Sequence, residues 1–95
     1  MSGSDPQLRR HHAVYTAADR DGAVLLHSTQ NRLYGLNPSA AVLWERLSGG
    51  EDPDSVVSAL SGLWGVNEER LRADVRGLTD TLVRLGLAVP EGGSR

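Results

Sequence analysis

The sequence predicts an α+β domain in which a small antiparallel sheet is followed by three helices. Three observations carry this reading. β-Forming residues gather in short runs within the first third of the chain, separated by turn signals. Two pairs, Asn37-Pro38 and Asp52-Pro53, have the chemistry of helix starts. An apolar stripe at helical spacing fills the last third, from Leu71 to Leu85.

The strands come first. Ala13-Val14-Tyr15-Thr16-Ala17 is one run. Asp19-Arg20-Asp21-Gly22 turns the chain, because Asp and Gly tolerate the backbone angles of a tight turn. Ala23-Val24-Leu25-Leu26-His27 is a second run, Ser28-Thr29-Gln30-Asn31 turns the chain again, and Arg32-Leu33-Tyr34-Gly35-Leu36 is a third. Connections this short demand antiparallel pairing, hence a three-stranded meander.

The helices follow without spare residues. The Asn37 side chain can accept an orphan backbone N–H, and Pro38 fits the first helical position, where its missing N–H is harmless. This first helix carries Val42, Leu43, Trp44 and Leu47 and stops at Gly49-Gly50. Asp52-Pro53 repeats the device for a second helix with Val56, Val57, Leu60, Leu63 and Trp64, ended by Gly65. Both tryptophans fall on apolar faces and read as core. Asn67 caps the third helix, with Glu68 and Glu69 at the positive end of its dipole. Leu71, Val75, Leu78, Leu82 and Leu85 form its stripe, Gly86 is a C′ signal, and Leu87 folds back behind it. Residues 87–90 then lie extended. Each helix is apolar on one side only, so each needs the others to bury its stripe. A helix-turn-helix with a small attached sheet is winged helix-turn-helix-like.

Ninety-five residues make one small domain. We assign residues 12–90 to it, with flexible segments at 1–11 and 91–95. There is no cysteine, which excludes disulfides and thiolate metal sites and fits a reducing, cytoplasmic setting. His11, His12 and His27 lack the spacing of a metal site, so no metal or other cofactor is expected. No apolar run reaches the roughly 18 residues of a membrane span, and nothing resembles a signal peptide. No nucleophile sits beside a base, no convergent titratable group suggests catalysis, and no enzyme is expected.

The residues from Leu36 to Leu47 resemble a family motif. Leu36-Asn37-Pro38-Ser39-Ala40-Ala41-Val42-Leu43-Trp44 is similar to the Leu-Asn-x-x-(small)-x-x-(apolar)-Trp pattern of PqqD-like proteins. Gly49-Gly50, the stretch from Val56 to Leu63, and the close at Leu82-x-x-Leu85-Gly86-Leu87 fit in order, so the likeness spans about residues 12–89. The resemblance implies a recognition element that binds the leader segment of a ribosomally made precursor peptide and presents its core to modifying enzymes. At this length it looks like the discrete recognition protein of lasso-peptide pathways, where a leader peptidase and a macrolactam cyclase are the partners. A pyrroloquinoline-quinone chaperone and the recognition protein of another modified-peptide pathway fit the same residues.

The resemblance also implies where the leader sits: as an added strand beside the third strand, in a groove closed by the third helix. The candidate residues are Asn31, Arg32, Leu33, Tyr34 and Gly35 on the strand and Asp74, Val75, Leu78, Thr81 and Leu82 on the helix. Side chains alternate along a strand. Leu36 enters the helix and reads as core, which puts Tyr34 inward and leaves Leu33 and Gly35 outward. A tyrosine or proline of the leader is expected in a pocket of Leu33, Leu78 and Leu82. Gly77 costs about 1 kcal/mol against alanine in a helix, so packing or the close approach of a guest is its expected reason.

The rival reading is a winged-helix DNA-binding regulator, supported by Arg46, Arg70, Arg72, Arg76 and Arg84. The formal charge of −2, a pI near 5.8, the absence of lysine, and Glu68, Glu69, Asp74 and Asp80 interleaved among the arginines argue for a solvated helix face instead.

Overall fold

The computed structural model describes residues 7–91. The order is β1 (Gln7–Arg10), β2 (Val14–Asp19), β3 (Gly22–His27), β4 (Arg32–Leu36), α1 (Pro38–Ser48), α2 (Pro53–Trp64), α3 (Glu68–Arg84) and β5 (Ala88–Glu91). β2, β3 and β4 form the expected antiparallel meander, with β3 in the centre and β2 and β4 at its edges.

Each helix begins as its capping chemistry dictates. The Asn37 side chain accepts the Ala40 N–H at 2.8 Å, Asp52 that of Ser55 at 3.2 Å, and Asn67 that of Arg70 at 3.0 Å. α3 ends in a Schellman motif. The Leu87 N–H donates to the Leu82 carbonyl at 2.9 Å and the Gly86 N–H to that of Val83 at 3.0 Å, with Gly86 at φ +78°. Leu87 is thereby carried back into the core.

The core lies between the inner face of the meander and the three helices. Leu25, Leu43, Trp44, Leu47, Val56, Val57, Leu60, Leu71, Val75, Leu82 and Leu87 are all buried. Trp44 is the largest buried side chain, and its indole N–H donates to the Thr16 hydroxyl at 2.9 Å. That bond satisfies the one polar atom the ring takes inside. Gly22 is fixed by the chain crossing it. It sits at φ +132°, and a Cβ there would lie 2.1 Å from the Leu36 carbonyl oxygen. Only glycine lets the β2–β3 turn pass under the junction of β4 and α1.

Residues 7–10 differ from the expectation of a flexible lead. They form β1, which pairs antiparallel with β5 in a separate two-stranded sheet, and Leu8 is fully buried. The arginines at 9 and 10 hide the strand locally, and its partner lies at the other end of the chain. Residues 88–91 form β5, a pairing that the sequence analysis did not assign, so Glu91, expected in a flexible tail, is paired with Gln7 instead. The remaining expectations, for residues 1–6 and 92–95, lie outside the described residues.

Candidate functional site

β4 is an edge strand of the meander, linked through Gln30 to the C-terminal end of α3, and among the described residues nothing pairs with its outer side. Such an edge carries backbone N–H and C=O groups that an extended peptide can satisfy. α3 packs chiefly on α2 and β5 rather than on β4, which leaves a seam between strand and helix. Partly buried apolar residues pack against the core on the elements to either side: Tyr34 and Leu36 on β4, Leu78, Val83 and Leu85 at α3, and Trp64 at the end of α2. They sit on the core's margin, with one side packed and the other available.

A cleft of about 380 Å³ opens between the helices, along the N-terminal part of α3. Asn37 at the cap of α1, Ala40 and Leu43 of α1, Trp64 of α2, and Arg70, Leu71, Asp74 and Leu78 of α3 line it, together with Val66. Apolar walls with a carboxylate and a guanidinium at the rim suit an apolar or aromatic side chain that carries a polar tip. Trp64, read as core from sequence, is only half-buried and forms part of this lining.

The C-terminal end of α3 is bridged to β4 by a side chain from the β3–β4 turn. Gln30 accepts the Tyr34 hydroxyl at 2.8 Å and donates to the Leu85 carbonyl at 2.9 Å. The turn also holds buried His27, whose Nδ1 accepts the Gln30 N–H at 3.3 Å. The His11 ring lies 4.9 Å from that of His27 and stacks on His12 at 4.4 Å. Desolvation, then the neighbouring charges of His12 and His27, hold the His11 pKa below its ordinary value. Among the described residues no group of three or more potential ligands is arranged to hold a metal ion.

The predicted residues divide. Asn31, Arg32, Leu33 and Gly35 are exposed along the edge, and Tyr34 is half-buried on the inner side, as alternation requires. Asn31 holds the turn in the left-handed region at φ 58°. Asp74 is exposed, and Leu78 and Thr81 are partly so, on the flank of α3 that borders the cleft. The opposite flank is occupied: Arg72 pairs with Asp54 of α2 and Glu68, and Thr79 is buried.

Two helix residues are corrected. Val75 and Leu82 are 0% and 1% exposed, so they support the groove from beneath rather than touch a guest. Spacing along a stripe does not separate its buried centre from its margin. The expected pocket of Leu33, Leu78 and Leu82 does not form either, because Leu33 projects from the outer face of the sheet. There it stands opposite Leu26, itself opposite Tyr15, and the three make an exposed apolar row. A Cβ built on Gly77 would meet nothing within 4 Å, which removes helix packing as that glycine's reason. Trp64 in the cleft, and Gln30 and Leu85 where strand and helix are bridged, are placements that sequence reasoning did not assign.

Three antiparallel strands followed by three helices, with a sheet edge left free among the described residues, make a winged-helix-like fold. The chain belongs to the PqqD family, whose model, described as coenzyme PQQ synthesis protein D, matches residues 22–88. Domains of this family are non-catalytic recognition elements. Two solved structures are similar to it. One is TbiB1 in complex with the TbiA(beta) leader peptide, 26% identical, covering 92% of this chain and 99% of that one at a TM-score of 0.79. The other is lasso peptide synthetase B1 complexed with the leader peptide, 27% identical, covering 88% of this chain and 99% of that one at a TM-score of 0.80. No curated protein matches the chain. No helix among the described residues is long and apolar enough to cross a membrane.

Proposed function

We propose that this protein binds the leader segment of a ribosomally made precursor peptide in lasso-peptide biosynthesis. The leader adds to β4 as a further antiparallel or parallel strand, between β4 and α3. Backbone pairing supplies affinity for an extended chain, and the cleft at Leu78 and Trp64 supplies choice among sequences. The observation that carries this reading is the unpaired β4 edge beside an apolar seam walled by the open flank of α3. The leader complexes of both similar chains support it.

With the leader bound, the core segment is offered to a leader peptidase and a macrolactam cyclase in the cytoplasm, where the precursor is made. The exposed row of Tyr15, Leu26 and Leu33 remains outside the seam and adjoins the seated peptide, so it is the face we assign to those enzymes. Calorimetry with a synthetic leader peptide tests the reading. Saturable one-to-one binding, lost when prolines are placed at alternate positions of the leader, is the expected result. Absence of binding to the leader of the protein's own precursor overturns it.

A further inference from the structure

The two walls of the groove belong to segments far apart in sequence, and Gln30 ties them together. Its side-chain amide joins Tyr34 on β4 to the Leu85 carbonyl, 55 residues away, at the C-terminal end of α3. That carbonyl is one of the acceptors a helix end leaves without an intrahelical donor. Gly86 leaves room for this approach: a Cβ there would lie 3.1 Å from the Gln30 amide nitrogen. The backbone of Gln30 is anchored from the other side by the His27 imidazole. Acceptor, donor and backbone N–H are therefore all engaged, on a side chain that is exposed and absent from the core.

We propose that Gln30 is a positioning residue of the groove. It clasps β4 to the end of α3, holds the Tyr34 ring as part of the inner wall, and sets the width available to the guest strand at that end. The inference rests on the leader-binding reading above. Tyr34 and Leu85 contribute apolar wall at this end, and Gln30 fixes their separation without touching the core that keeps the domain folded. A preset width removes ordering that the complex would otherwise have to impose, which raises affinity without a new contact to the guest.

The test compares wild type with Gln30→Met, Tyr34→Phe and the double variant. Each is titrated calorimetrically with two synthetic probes, the TbiA(beta) leader peptide and the leader of the protein's own precursor. Gln30→Met keeps the side chain's length and removes both hydrogen bonds. We expect each single variant to bind about five-fold more weakly. The double variant should be no weaker than either single one, because all three break the same clasp. Melting temperatures should stay within about 3 °C of wild type. Unchanged affinities, additive losses, or a melting temperature that falls in step with affinity each overturn the positioning role. If wild type binds neither probe, the leader-binding reading itself falls and this inference with it; if wild type binds and the variants match it, this inference alone falls.

Discussion

Leu33 and Leu78 stand on opposite sides of the β4 edge. Leu33, 69% exposed, projects from the outer face of the sheet, whereas Leu78 lines the cleft between the helices. A strand added to β4 would place alternate side chains against each, so the two leucines report on different faces of the guest. Leu78→Ala is expected to weaken leader binding by about 1–3 kcal/mol, the range of a buried anchor contact. Leu33→Glu removes only a cross-strand neighbour and should cost less than about 1 kcal/mol of leader affinity. It should instead impair turnover by the processing enzymes. Calorimetry alongside a coupled processing assay checks both, and a larger binding loss at Leu33 than at Leu78 would invert the assignment of faces.

Gly77 gives a prediction with opposite signs in two measurements. Nothing lies within 4 Å of its notional Cβ, and it sits in the exposed surface of α3. Gly77→Ala should therefore stabilise the free protein by about 0.5–1 kcal/mol through helix propensity. If the leader's backbone comes close to this point, the same methyl group weakens binding. Urea denaturation and leader titration on one variant separate the two effects. A stabilised protein with unaltered affinity would show that the guest does not approach Gly77.

Gly22 and Gly35 should respond differently to alanine. At Gly22 the new Cβ would meet the Leu36 carbonyl at 2.1 Å in a backbone region that side chains rarely adopt. A loss of more than about 2 kcal/mol is expected, combining strain with displacement of the β4–α1 junction. At Gly35 the Cβ would meet nothing within 4 Å, and stability should change by less than about 1 kcal/mol. Chemical denaturation of the two variants checks the contrast.

The histidine cluster makes stability depend on pH. His11 has an ordinary pKa of 6.5 when unfolded and a lower one when folded. Between the two values the unfolded chain binds more protons, so stability rises with pH. It is greatest above 6.5 and declines as pH falls from there toward the folded value. The urea midpoint should be lower at pH 5.5 than at pH 7.5 by a larger margin in wild type than in His11→Ala. An equal margin in the two proteins would remove His11 as the cause.

Local chemistry made most of this architecture legible. Asn37, Asp52 and Asn67 announced their helices because a cap acts on residues three positions away. Gly86 and Leu87 announced the Schellman end for the same reason. Alternation back from Leu36 placed Leu33 outside correctly. What stayed hidden depends on distant partners. β1 exists because residues 88–91 pair with it, and Leu8 alone could not signal a strand between polar neighbours. The periodicity of α3 gave its stripe but not its open flank. That flank is decided by Arg72 and Thr79 packing on the other side. Gln30 looked like an ordinary turn residue, since both its side-chain partners become neighbours only in the fold.

Amide hydrogen exchange of the protein with and without bound leader tests the central claim most directly. The account predicts that leader binding slows exchange along Arg32–Leu36 and leaves the other sheet edge, Val14–Asp19, unchanged. Tight binding that leaves β4 exchange untouched, or that protects β2 in its place, would contradict it.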